Sequence, residues 1–309
     1  MNEISEARVL VAYGGHGVVQ TESGERRDCV FRRKVGRPVC GDQVMLRRAD
    51  AETWVVEAIL ARKNEFARAD ERARRQVVAA NLDRVLIVVA PRPLPSRDLL
   101  DRYLVAVHSL GIEPVIVLNK CELPFSGDEP GVETLQRLGE YERLGYRVLR
   151  TSCETGEGVD GLRDLLATGT AILVGQSGVG KSSLARLLLP DLDIQTGALS
   201  RVTGKGTHTT TTTVLYRLPG GGALMDSPGV WEFGLWKLDE ALIPLGFPEF
   251  RPWLGACRFN DCAHLSEPGC AVKGALEAGR IASWRYAAYT RILEQNRRRN
   301  GGSAWSKSG

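Results

Sequence analysis

The sequence has no run approaching the roughly 18 consecutive apolar residues that a membrane-spanning helix requires, so no membrane partner is expected. Its opening residues, MNEISEARVL, lack a basic start followed by an apolar stretch, and no secretory leader is read there. The seven cysteines are an odd number and cannot all pair, which argues against a disulfide-built secreted domain. Three of them, Cys257, Cys262 and Cys270, crowd together beside one of only four histidines. That pattern suits a metal site in a reducing cytoplasm, and a cytoplasmic location is expected. Nor is there a strong excess of one charge, the net value being +4. The charge is uneven, with +3 over residues 1–75, −5 over 76–270 and +6 over 271–309. Basic ends around an acidic middle hint at a polyanionic partner, with ordinary solvated charge as the plain alternative. A chain of 309 residues, 43% hydrophobic and 25% charged, has the make-up of a globular protein of two or three domains.

The first 60 residues read as five short strands: Val9–Tyr13, Gly17–Thr21, Cys29–Arg33, Val44–Leu46 and Trp54–Ile59, punctuated by glycine-rich turns. That spacing predicts a small barrel, with the OB-fold as the commonest nucleic-acid-binding example. Residues 61–78 are charged with little apolar pattern and read as a linker running into a helix. Buried-strand runs then alternate with helical stretches: strands Arg84–Ala90, Val115–Leu118, Arg147–Leu149 and Ala171–Val174, and helices from a cap at Ser96 to Leu110, over Val132–Leu144, Val159–Leu166 and Lys181–Leu189. The alternation predicts an α/β domain with a parallel sheet covered on both faces. A hairpin follows over Val214–Met225, and a separate cysteine-containing module begins near Trp236 and ends in a helix over Ile281–Gln295. The expected division is a barrel over 1–66, an α/β domain over 67–235 and a C-terminal module over 236–309.

Gly175-Gln176-Ser177-Gly178-Val179-Gly180-Lys181-Ser182 fits G-x-x-x-x-G-K-S/T between a strand and a helix. Glycines let backbone N–H groups curl around phosphate oxygens, and the helix N-terminus adds free donors. Lys181 is placed to reach the β and γ phosphates, Ser182 to coordinate Mg²⁺, and Ser183 to complete the nucleotide contacts. Asn119-Lys120-Cys121-Glu122, at the end of a buried strand, resembles the N-K-x-D guanine motif, with glutamate in place of aspartate. Its carboxylate retains the acceptor pair for the guanine N1–H and amino group, donors that adenine does not offer together. Thr151-Ser152-Cys153 resembles the S-A-K element behind the base, without the lysine. Asp226-Ser227-Pro228-Gly229 fits D-x-x-G, so Asp226 is expected to hold Mg²⁺ through water and the Gly229 N–H to meet the γ-phosphate. The loop from Lys205 to Thr210 sits where a first switch belongs, and Thr210 is its expected Mg²⁺ ligand; a flexible polar tract is the alternative. The residue after D-x-x-G is Val230, which cannot polarise water. His208 is the candidate to position the attacking water, with a histidine that merely packs against a partner as the equal alternative.

The motifs occur in an unusual order, with the base-binding elements ahead of the phosphate loop. Together with the barrel, Ala79–Val88 (AANLDRVLIV), the K-G-T-H-T-T-T loop, D-S-P-G-V and the cysteine cluster, this order resembles the ribosome small-subunit-dependent GTPase A family of circularly permuted GTPases over nearly the whole chain. Glu122, and Thr207 where a larger residue precedes the histidine, are departures. The resemblance implies a circularly permuted P-loop GTPase domain with an OB-like barrel before it and a zinc-binding helical module after it. It further implies a factor that docks on the maturing small ribosomal subunit, binds its rRNA, and hydrolyses GTP to GDP as a monomer.

Cys257-x₄-Cys262-x-His264-x₅-Cys270 supplies three thiolates and an imidazole, the donor set of one structural tetrahedral Zn²⁺. The following helix carries Arg280, Arg285, Arg291 and Arg297–Arg299, expected to meet rRNA phosphates. Cys29, Cys40, Cys121 and Cys153 show no partner in the pattern. Two other functions remain open at this point: a nucleotide-gated RNA-binding or chaperone-like module with negligible hydrolysis, and a permuted GTPase of another ribosomal particle. An ATP-preferring enzyme is a third.

Overall fold

A computed structural model of the chain describes residues 4–50, 53–69, 75–189, 213–226 and 238–301, with side chains through 298. The predicted switch residues Thr210 and His208, and Gly229 of D-x-x-G, lie outside the described residues.

Five strands near the N-terminus close on themselves: β1 Ile4–Tyr13, β2 His16–Thr21, β3 Arg26–Phe31, β4 Gln43–Arg48 and β5 Trp54–Ile59. The strand order is 1-2-3-5-4, β4 pairs back onto β1, and β3 and β5 run parallel while the other pairs are antiparallel. This is a five-stranded OB-like barrel. Alternation along the strands turns Val9, Val19, Phe31, Val44, Leu46 and Val56 inward, where they form the barrel core.

Residues 61–78 depart from the sequence expectation. They hold an antiparallel pair, β6 Glu65–Ala69 and β7 Arg75–Ala80, instead of a linker entering a helix. The charges that suggested a linker lie on the outer face, where Glu65 pairs with Arg62 and Arg75 at 2.7 Å each. Phe66, Ala67, Ala79 and Ala80 are buried, and the register shifts between Phe66 and Ala67. Burial of consecutive residues around that bulge leaves no period-2 pattern to read.

The α/β domain follows with β8 Arg84–Val89, α1 Leu99–Ser109, β9 Glu113–Asn119, α2 Pro130–Gln136, α3 Leu138–Arg143, β10 Arg147–Thr151, α4 Val159–Leu165, β11 Thr170–Val174, α5 Lys181–Leu188, β12 Val214–Arg217 and β13 Ala223–Asp226. The expected helix over 132–144 is thus two, meeting at Arg137. Ser96 does not cap α1 with its side chain; its backbone carbonyl accepts from Leu99 N–H at 3.0 Å. The sheet order is β10-β9-β8-β11-β13-β12, parallel except for β12. The strand made fourth of the parallel set, β11, therefore lies centrally. Residues Val85 to Ala90 are at most 1% exposed, as a strand covered on both faces demands. β12 also pairs with β1, merging barrel and sheet, and Val214 stands opposite both Val11 and Asp226.

The C-terminal module is built from three 3-10 turns, Glu240–Leu242, Pro244–Gly246 and Pro248–Trp253, then α6 Ala271–Glu277 and α7 Ser283–Gly301. Ile243, Phe247, Phe250, Val272, Tyr289 and Ile292 form its core together with Val105 of α1. Here the expectation that Arg285 meets rRNA phosphates is overturned. Its side chain is 1% exposed and forms ion pairs with Asp101 of α1 and, at 2.5 Å, with Glu249. Asp101 also accepts from the Tyr141 hydroxyl at 2.8 Å. Arg291 is tied to Asp98 at 2.7 Å and Arg297 to Glu240 at 2.9 Å. A stripe of arginines is thus largely paired internally, because the acidic partners come from elements distant in sequence. Removing Arg285 would leave two buried carboxylates without their cation, so Arg285→Ala is expected to cost about 3–5 kcal/mol. A thermal midpoint unchanged from wild type in the full chain would refute that.

Candidate nucleotide and metal sites

Four of the sequence motifs emerge at the carboxyl ends of parallel strands of one sheet, where ligands gather in such folds. The phosphate loop leaves β11 after Val174, the Asn119 segment closes β9, Thr151 closes β10, and Asp226 closes β13. The loops are also bonded to one another. Asn119 Nδ2 donates to the Val179 carbonyl at 2.8 Å, and its Oδ1 accepts from Thr151 Oγ1 at 3.2 Å. Lys120 Nζ reaches the carbonyls of Gly178 at 2.7 Å and Arg92 at 2.8 Å. The phosphate-loop, N-K-x-E and T-S-C segments are therefore one assembly although 60 residues separate Asn119 from Val179.

Close approach explains the glycines. Gly175 has φ +140, and a Cβ there would lie 2.2 Å from the Val88 carbonyl oxygen; at Gly180, φ +98, it would lie 2.2 Å from Asn119 Nδ2. Neither position can hold a side chain without displacing the loop.

Ser152 is buried beside Thr151. Its Oγ accepts from the N–H groups of Glu154 and Thr155, at 3.2 and 3.0 Å, and so shapes the loop after β10. Ser177, Ser182 and Ser183 are exposed at the mouth of the crevice. Glu122 places one carboxylate oxygen, Oε2, out of solvent with no hydrogen-bond partner, and Gln176 Oε1 is in the same condition. An unpartnered buried acceptor is costly.

Lys181 Nζ donates to the carbonyls of Gly175 at 2.8 Å and Gln176 at 2.6 Å. Burial lowers its pKa to about 8, opposed by the nearby Asp226. Burial likewise raises the Asp226 carboxyl, opposed by Lys181. Phosphate oxygens would hold the ammonium form, so nucleotide binding above pH 8 must take up a proton. Affinity is therefore expected to be flat below the free-protein pKa and to fall towards tenfold per pH unit above it. A GDP titration from pH 7 to 9.5 that shows constant affinity would contradict this.

In the C-terminal module, one ligand atom from each of Cys257, Cys262, His264 and Cys270 lies within 4.8 Å of the others. Cys257 Sγ is 3.9 Å from Cys270 Sγ, and His264 Nδ1 is 3.5 Å from both sulfurs. A tetrahedron with Zn–S of about 2.3 Å and Zn–N of about 2.1 Å has edges of about 3.6–3.8 Å, so the separations fit a four-coordinate ion. The backbone supports the cluster: Ala271 N–H points at Cys257 Sγ and Lys273 N–H at Cys270 Sγ, at 3.4 and 3.5 Å. Tyr286 and Tyr289 hydroxyls donate to the carbonyls of His264 and Ala263 at 2.6 and 2.7 Å.

The RsgA GTPase family model matches residues 59–236. The chain belongs to that family. A small ribosomal subunit biogenesis GTPase RsgA of Haemophilus influenzae is 45% identical over 298 residues, covering 95% of this chain and 86% of the relative. The Pseudomonas aeruginosa protein of the same name is 46% identical over 286 residues, covering 93% and 84%. Among solved structures, YjeQ from Thermotoga maritima superposes with a TM-score of 0.76 at 30% identity, over 95% of this chain and 99% of that one. YloQ, a circularly permuted GTPase, gives 0.72 at 29% identity over 96% of each. The RsgA family is thus the source of the permuted motif order, and this member hydrolyses GTP on a sheet that opens with β8 instead of β11.

Sequence reading missed two supporting groups of this RsgA-family fold. Glu267 accepts from Ala263, Leu265 and Ser266 N–H groups at 2.8–3.0 Å and shapes the knuckle between the metal-ligand positions; backbone N–H groups, its own first, hold its carboxyl below the usual range. The Arg92 carbonyl anchors Lys120. Neither carries a motif, since a carbonyl has no residue identity and a lone glutamate in a loop reads as surface charge.

Proposed function

We propose that this chain is a GTPase of small ribosomal subunit biogenesis, cytoplasmic and monomeric, that binds the subunit and its rRNA and is stimulated there. The observation that carries the nucleotide part is the 2.8 Å bond from Asn119 to Val179, which fixes the base-recognition and phosphate-binding segments around one crevice. The relatives' printed names support the ribosomal part.

In this reading residues 1–66 are the barrel, 67–235 the GTPase domain and 236–309 the zinc module. The backbone from Gly175 to Ser183 cradles the phosphates, Lys181 neutralises charge developing on the β and γ oxygens, and Gly229 meets the γ-phosphate. Glu122 Oε2 accepts from the guanine edge, backed by Asn119, Lys120, Thr151 and Ser152; adenine presents no such donor pair, so GTP is preferred over ATP. Ser182, Thr210 and Asp226 would hold Mg²⁺, which would offset the negative charge of the phosphates. Cys257, Cys262, His264 and Cys270 would hold one structural Zn²⁺; their near-tetrahedral separations support that donor set. Val230 leaves the water unassisted by D-x-x-G, and His208 takes that part.

The test is GTP turnover across a titration of purified small subunits, with large subunits and ATP as controls. Turnover is expected to rise with small subunits alone. Flat, near-zero rates would favour a non-hydrolysing RNA-binding module. Equal stimulation of His208→Ala and wild type would remove His208 from the mechanism.

A further inference from the structure

The GTPase reading leaves the outer face of the zinc module without a role. Four large apolar side chains stand exposed among the described residues, and three of them cluster there: Leu242 at 36%, Leu245 at 44% and Phe259 at 42%. Leu245 and Phe259 line a groove of about 490 Å³ together with Pro244, Leu254, Tyr289 and Leu293. Exposed apolar side chains beside a groove mark an interaction site.

The charge around the groove narrows the occupant. Its lining holds Glu240, Asp261 and Arg297, and the arginine is paired with Glu240 at 2.9 Å. Asp261 has no ion pair among the described residues. The Cys257 and Cys262 sulfurs on one wall belong to the donor set whose three thiolates outweigh the charge of the Zn²⁺ they would hold, so that wall is not cationic. Arg258 covers Phe259, 5.5 Å from the ring centroid, and is not part of the lining. RNA would therefore bring phosphates to a groove whose one lining cation is already neutralised. A protein segment with an apolar anchor flanked by lysine or arginine satisfies both floor and rim.

We infer that this groove docks a basic, apolar-anchored segment of a protein of the small ribosomal subunit. The inference rests on the subunit-binding reading above. Proteins that coat an RNA particle are basic for the electrostatic reason that excludes RNA from this groove. Barrel and zinc module then have complementary tasks, the first facing nucleic acid and the second facing protein.

The test replaces Leu245 by a photo-reactive benzophenone amino acid in the full chain, loads it with a non-hydrolysable GTP analogue and irradiates it on purified small subunits. The expected product is a cross-link to a subunit protein, at an apolar residue flanked by Lys or Arg. Cross-links to rRNA, to a second copy or within the same chain overturn the inference, as does none at all while the chain still sediments with subunits. Failure to sediment at all would sink the subunit reading itself. A second measurement uses Leu245→Lys, which removes the anchor and adds a like charge against a basic partner. Its affinity for small subunits should fall about tenfold or more, while its affinity for deproteinised rRNA is unchanged or tighter. Tighter binding to both would identify RNA as the occupant, and unchanged subunit affinity would rule out any docking there.

Discussion

Lys181→Ala is expected to lower kcat/KM for GTP by on the order of 10³, the range found when one preorganised charge or donor is removed from a developing anion. The ground for so large an effect is how the side chain is held. Its ammonium is half-buried and rests on two loop carbonyls, those of Gly175 and Gln176, at 2.8 and 2.6 Å. Burial costs it enough to bring its pKa down to about 8. In the proposed role, an ammonium so aligned and so poorly solvated would need little reorganisation as charge moves onto the β and γ oxygens. An exposed lysine would be screened and worth far less. The measurement is steady-state turnover with saturating small subunits, beside a thermal melt to show that the fold persists. A variant within tenfold of wild type would mean that backbone amides alone stabilise the transferring phosphoryl group.

Cys262→Ser is expected to strip the metal and unfold the C-terminal module while GTP still binds. Apart from the ion pairs that tie α7 to α1 and to the first 3-10 turn, the module consists of three 3-10 turns, a helix of seven residues and part of α7. Two of the ligands bracket the loop that carries Glu267, and α6 begins directly after Cys270, which caps it through Lys273 N–H. Binding free energy at such a site is folding free energy, about 10 kcal/mol or more for structural zinc in small domains. The nucleotide crevice draws on none of these residues, and the 2.8 Å Asn119–Val179 bond has no partner in the module. Metal content per chain should fall from one to zero, and limited proteolysis should open the chain beyond residue 238. Loss of nucleotide binding in step with the metal would show that the two sites are one folding unit. The Arg285 network, which clamps α7 to α1 through Asp101, is the route by which that could happen.

How far each element was legible depends on whether its signal is local. The phosphate loop, N-K-C-E and the Cys/His spacing could be read because each is a short run whose residue types follow from one ligand's chemistry. The buried strands β8, β9 and β11 could be read because both their faces are covered, which leaves continuous apolar runs such as Val85–Val89. The β6–β7 pair could not, since burial of consecutive residues around its bulge breaks the alternation and the rest of the segment carries the charge of a linker. The arginines of α7 misled for a related reason: a charge in sequence has no visible partner when Asp98, Asp101, Glu240 and Glu249 come from 36 to 193 positions away or from another domain's helix.

Residue types and spacing by themselves determined that a triphosphate-binding loop, a guanine-type motif and a four-ligand metal set exist in this chain, because those chemistries are satisfied within a few consecutive residues. Only the tertiary structure decided that the loops share one crevice, that Glu122 turns an unsatisfied oxygen into buried space, that Arg285 is a clamp and not a phosphate contact, and that an apolar groove opens beside the metal cluster. Each of these depends on distances between segments far apart along the chain. Such distances are set by the sheet order and by packing, which no local pattern encodes.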